Sequence, residues 1–151
     1  MFTTLFQILS VLLILSWFPL LLLPKSVITR KLLFHKNYWV LIGALYFVTL
    51  FFFGWEINWL SLIFPSAEGI GEVFTHEHLP LFAWLHMMIG NLFFGRWIAN
   101  DGFKKGYFLF PFMLVTVLLG PAGLAFYMIF DKKKSAERER RRARKEAANS
   151  Y

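Results

Sequence analysis

AWLHMMIGNLFFGRWIANDG, residues 83–102, is a mostly apolar run that carries His86, Asn91 and Arg96 along its length and ends on Asn100, Asp101 and Gly102. A run of about 20 apolar residues is what a helix needs to cross a bilayer. An ionisable residue inside such a span is costly and faces the bundle interior or a water-filled cavity, which makes this helix the first place to look for function.

The rest of the 151-residue chain fits the same setting. Hydrophobic residues make up 58% of it and its mean hydropathy is +0.55, well above the roughly 45–50% apolar content of a soluble domain. The 19 phenylalanines suit packed helices or a pocket for a rigid apolar ligand, although a lipid-facing Phe is also inexpensive. There is no cysteine, so disulfides, thiolate nucleophiles and cysteine metal sites are excluded, and any metal would rest on His and carboxylates. Met1 to Gln7 lack the basic start of a secretory signal, and no small-residue cleavage site precedes Pro24. The first apolar run therefore reads as a retained span, in a bacterial-type inner membrane.

Working outward, the expected fold is an all-α integral membrane bundle of about four transmembrane helices. Phe2 to Leu23 is the first, kinked or shortened by Pro19. Tyr38 to Phe64 is the second, bounded by Tyr38-Trp39 and by Trp55 and Trp59, and long enough to tilt or to end irregularly near Gly54. The third starts at Leu79-Pro80 and runs to Ala99, with Gly102 placed as its C-cap. Tyr107 to Phe130 is the fourth, with a break at Gly120-Pro121-Ala122-Gly123.

Residues 1–130 form this domain, and 131–151 are a basic tail, helical or disordered, with nine Lys/Arg and four acids. The tail is attracted to anionic lipids at roughly 1 kcal/mol per basic residue; no recognition motif is interleaved with its charges, which disfavours nucleic acid. With four spans, the positive-inside rule weighs nine basic residues in the tail against six in the loops after the first and third spans, and so puts both termini in the cytoplasm. An odd number of crossings, with one segment re-entrant, would bring both basic sets to one side.

The polar groups sort by depth. His86 and Asp101 are fifteen positions apart, roughly 22 Å along one helix, so they serve different ends of the bundle. Glu56, near the end of the second span, matches His86, near the start of the third, and Glu77 with His76 and His78 lies in the loop between them. Glu56, Glu77 and His86 are thus the candidate catalytic residues for acid/base chemistry, and also the candidate ligands of a metal such as non-haem iron. A Glu–His pair that only ties two helices together is the structural alternative. At the other end, Asn91, Arg96, Asn100 and Asp101 form a polar cap that binds substrate or serves structure, with Arg96 snorkelling, bonding Asn100 or reaching Asp101.

The pattern Phe74-x-x-Glu77, Ala83-Trp84-x-His86, Asn91-Leu92-Phe93, Arg96, Asn100-Asp101-Gly102 and Gly120-Pro121-x-Gly123 resembles the abscisic-acid-deficient-four-like family of small membrane proteins, most densely over residues 74–125. The resemblance implies a carotenoid substrate: plant members are implicated in turning violaxanthin into neoxanthin, and bacterial relatives are linked with cleavage of carotene to retinal. It carries over Glu77, His86, Arg96 and Asp101 as functional residues. The family typically has Asp where this chain has Asn91, and asparagine gives up a proton acceptor and a strong cation ligand.

The expected function is therefore a membrane-embedded protein acting on carotenoids, as an oxygenase that cleaves a carotene or as an isomerase that opens a xanthophyll epoxide. The alternative is a non-catalytic carotenoid-binding or assembly subunit, favoured by Asn91. The expected partners are a carotenoid or other long apolar molecule, anionic lipids at the tail, and a second copy of the chain in a homo-oligomer.

Overall fold

The computed structural model describes residues 2–24, 26–55, 60, 63–64, 66–75 and 77–149, the side chains of Phe2, Glu72, Val73 and Asn149 excepted. Its elements are α1 (Phe2–Leu22), α2 (Val27–Leu33), α3 (Lys36–Phe53), α4 (Ala67–Phe74), α5 (Leu79–Lys105), α6 (Phe110–Leu119) and α7 (Pro121–Asn149), with no strand among the described residues.

The quoted stretch sits at the centre. α5 packs against α1, α3, α4, α6 and α7, and its buried positions, from Leu79, Phe82 and Leu85 to Ile98, Ala99 and Gly102, recur every three or four residues along one stripe. α1 answers with Leu9, Leu13, Trp17 and Leu20, all almost fully buried. Pro19 does not end α1, because the chain closes over it: the N–H of Leu23 reaches the Pro19 carbonyl at 3.0 Å. The Thr29 hydroxyl lies 3.1 Å from the same carbonyl and 2.7 Å from that of Leu23, so α2 is fastened to the end of α1. α3 ends at Gly54, where the irregular ending was expected.

α5 runs six residues beyond Ala99, and its cap is Gly106, not Gly102. Gly106 has φ 69°, the left-handed conformation that glycine adopts without penalty. The Tyr107 N–H bonds the Gly102 carbonyl at 3.0 Å and the Gly106 N–H bonds that of Phe103 at 3.1 Å, the two bonds of a Schellman ending. Gly102 is needed for a different reason: a Cβ there would run into the Leu109 side chain.

The larger correction concerns the fourth span. Tyr107 to Phe130 is not one crossing but a hairpin of α6 and the first turns of α7, reversing at Gly120, which has φ 43°. Phe112 shows the reversal, since its ring lies 5.1 Å from Phe126, 5.5 Å from Tyr127 and 5.0 Å from Phe130. On a straight helix Phe112 and Phe126 would be about 21 Å apart. The two arms touch so closely that a Cβ on Gly123 would come within 2.6 Å of the Thr116 Cα. Four spans were expected; among the described residues two helices are long and apolar enough to cross a membrane, Thr3–Leu22 and Lys36–Phe53. α5 is long enough at 27 residues but is laden with polar groups, and α6 has only ten residues.

The hairpin also changes where the termini lie. α1 and α5 run the same way and α3 runs back between them, and the hairpin enters and leaves at one end, so the start of α1 and the tail stand at opposite ends of the bundle. The tail is helical: α7 continues without interruption from Pro121 through Phe130 to Asn149. The end of the bundle with residues 26–36, 101–106 and the tail is basic, whereas the described residues of 54–78, at the other end, include no Lys or Arg.

Candidate functional site

The structure distributes the expected site residues over three levels of α5. At the level nearest α4, His86 is exposed on the bundle's outer side, with its ring tilted against that of Tyr46 at 6.0 Å. Glu77 is exposed in the turn before α5, and His78 occupies the N-cap position with its ring 6.1 Å from Phe53. His86 and Glu77 are not hydrogen-bonded to each other. Glu56 and His76 lie outside the described residues, and with them the expected Glu56–His86 pair. Among the described residues no three His, Asp or Glu side chains come together as a metal-binding group; of the expected ligands Glu56, Glu77 and His86, Glu56 lies outside those residues.

At mid-height is Asn91, 3% exposed. Its Nδ2 donates to the Val117 carbonyl at 3.3 Å, and its Oδ1 lies where a Cβ on Gly120 would stand. Asn91 therefore belongs to the tip of the α6–α7 hairpin and not to a polar cap. Its amide supplies an N–H that an ionised aspartate would lack, so asparagine has a structural use at this position.

At the far level the cap divides by helical register. Arg96, Asn100 and Lys104, spaced by four, share one face and look towards α2. Arg96 Nη2 donates to the Phe34 carbonyl at 3.2 Å, and its guanidinium lies 5.7 Å from the Phe34 ring and 5.2 Å from that of Trp39. It bonds neither Asn100 nor Asp101.

Asp101 and Lys105, also four apart, look towards α7. Asp101 accepts hydrogen bonds from Lys105 Nζ and from the Tyr127 hydroxyl, both at 2.6 Å. Lys105 reaches on to Asp131 at 2.7 Å, and Asp131 accepts from the Tyr107 hydroxyl at 3.1 Å. Arg138 donates to the Lys105 carbonyl at 2.9 Å and stacks on Tyr107 at 5.1 Å. Burial pushes the Asp101 carboxyl up, but the hydrogen bonds from Lys105 and Tyr127 outweigh it and hold Asp101 below the ordinary carboxylate range. The same bonds to Asp101 and Asp131 hold the Lys105 ammonium above its ordinary range. This network is a clamp between α5 and α7.

Sequence reasoning missed Tyr46, Trp39, Tyr127 and Asp131. The spacing of four within 96-100-104 and within 101-105 could have separated the two faces. Nothing local could have brought Tyr127 to Asp101, because their meeting depends on the reversal at Gly120.

A family model described as "ABA DEFICIENT 4-like" matches residues 4–127, from the first turn of α1 through the hairpin. Among curated proteins, the chain is similar to "Protein ABA DEFICIENT 4, chloroplastic" of Arabidopsis thaliana, at 27% identity over an alignment of 112 residues that covers 70% of this chain. The aligned part spans 50% of that relative's own length. No solved structure matches the chain.

Proposed function

Because the chain belongs to the ABA DEFICIENT 4-like family, we propose that it is a membrane-embedded protein acting on carotenoids, by opening the epoxide of a xanthophyll of the violaxanthin type. The family match is the observation that carries this reading, since it covers α5 and every polar level along it. The outer surface supports the membrane setting. Large apolar side chains point outward on α1 (Phe18, 55% exposed), α3 (Val40, 68%) and α6 (Leu118, 69%), whereas soluble monomers rarely expose contiguous apolar patches beyond a few hundred Å². In that membrane the basic end faces the cytoplasm.

His86 is the residue suited to the chemistry. It stands open to the outer side of the bundle next to Tyr46, where a long apolar molecule lying in the bilayer can reach it. Epoxide opening of this kind is an isomerisation: a proton goes to the epoxide oxygen as its C–O bond breaks, and a proton leaves a carbon of the polyene. No oxidant is consumed. An imidazolium supplies the first proton, an effect worth about 10²–10⁴ in rate.

A second reading, a pigment-binding subunit without catalysis, draws on Asn91, whose amide is committed to Val117 and packed against Gly120. Pigment chromatography from violaxanthin-producing and carotene-producing cells separates the two. Wild-type protein should convert the epoxide, and His86→Ala should slow conversion about 100-fold or more. Retinal from carotene would replace epoxide opening by oxidative cleavage. Unchanged pigments in both strains would sink the enzymatic reading, and a carotenoid co-purifying with that inactive protein would establish the subunit.

A further inference from the structure

At the basic end of the bundle a cleft of about 880 Å³ opens between α2 and the last turns of α5. Arg30, Lys31, His35, Arg96, Asn100 and Lys104 face it, over an apolar lining that includes Phe34 and Phe103, and among the described residues no carboxylate contributes to its walls. Arg30, Lys31, Arg96 and Lys104 make no ion pair among the described residues. Asp101 is within electrostatic reach of Lys104, but its carboxylate is already engaged by Lys105 and Tyr127.

Four cations gathered in a concave site repel one another unless an anion completes them. Arg96 is held ready for one. The Phe34 carbonyl takes one of its five N–H donors, while Phe34 and Trp39 fix the plane of its guanidinium. A planar fork held in this way matches two oxygens of a phosphate. Lys31, Arg30 and Lys104 are exposed and add charge around the rim, and Asn100 adds an amide donor. The tail contributes nothing to these walls, so its attraction to lipids is a separate matter.

We propose that this cleft binds a phosphate group, supplied by the headgroup of an anionic phospholipid whose glycerol and first acyl carbons rest on Phe34 and Phe103. The inference relies on the membrane setting argued above but not on any reaction with carotenoids. A phosphate reaches such a cleft either on a lipid or free in solution, and the chemistry that recognises it is the same.

Native mass spectrometry of the full chain, released from detergent after incubation with defined lipids, tests the proposal. Wild-type protein should retain one phosphatidylglycerol and no phosphatidylcholine. Combined Arg30→Gln, Lys31→Gln and Lys104→Gln replacement should weaken that retention at least tenfold, with unchanged helicity by circular dichroism, because these side chains are exposed. Replacing Arg140, Arg141 and Arg142 in the tail by Gln should change it less than twofold.

Equal retention of both lipids, or loss only in the tail variant, would overturn the site. Inorganic phosphate or glycerol phosphate displacing the lipid at micromolar concentration would overturn the lipid source and leave a soluble phosphate as the ligand. Protein that converts no pigment yet keeps its phosphatidylglycerol would uphold this site and sink the catalytic reading.

Discussion

Along the flank of α5 that meets the α6–α7 hairpin, polar groups are spent on one another: Asn91 on Val117, Asp101 on Tyr127 and Lys105, Lys105 again on Asp131. Along the flank that meets α2 and α3, Arg96 has a single backbone bond and two aromatic rings, and the cations around it have no counter-charge among the described residues. The flanks come within one residue of each other at Asn100 and Asp101. One step of helical register, about 100°, therefore separates groups that hold the fold from groups left open for a ligand.

The closed flank should be the expensive one to disturb. Gly120→Ala places a Cβ against the Asn91 amide in a backbone conformation with positive φ, and should cost about 3 kcal/mol, as a fall in the thermal unfolding midpoint in detergent. An unshifted midpoint would mean that the hairpin tip does not bind α5 as described.

Asp101→Ala comes next, at about 2 kcal/mol, because it removes the acceptor of the fully buried Tyr127 and half of the support of Lys105. Its pH dependence has a definite sign. The Asp101 carboxyl is held low, so its contribution is present above the unfolded value near pH 4 and lost as pH falls through the folded one. The Lys105 ammonium is held high, so its contribution is complete below about pH 10.4 and lost as pH rises through the folded value. Stability of the wild type relative to Asp101→Ala should accordingly be level between about pH 5 and about pH 10 and shrink beyond both limits. A step near pH 6.5, the ordinary range of histidine, would show that another group controls the clamp.

On the open flank, Lys104→Gln should move the midpoint by less than about 0.5 kcal/mol. A larger loss would reveal an ion pair that the comparison denies.

How much of this was legible in the sequence depends on distance along the chain. The central position of α5, the ending of α3 at Gly54 and the break at Gly120 follow from local signals, namely apolar spacing and helix-breaking residues. Choosing between Gly102 and Gly106 as the cap needed a contact seven residues ahead, with Leu109 filling the space beside Gly102. The hairpin was hidden because a hydropathy run looks the same whether the chain continues or doubles back, and α6 and the start of α7 together have the length of one span. That single reversal hid both the doubling back of Tyr107 to Phe130 and the partner of Asp101. His86 was found by its depth in the apolar run, but its openness to the outside was not, since the facing residue is Tyr46 on α3.

α7 offers one more consequence, a mechanical one. From Leu124 to Asn149 it contains neither glycine nor proline, and its last 19 residues extend roughly 28 Å past Phe130. A rod of that length without a joint is a lever whose short arm ends at Gly120. A load on the tail would be carried along that rod past the Asp101 clamp to the turn at Gly120, beside Asn91.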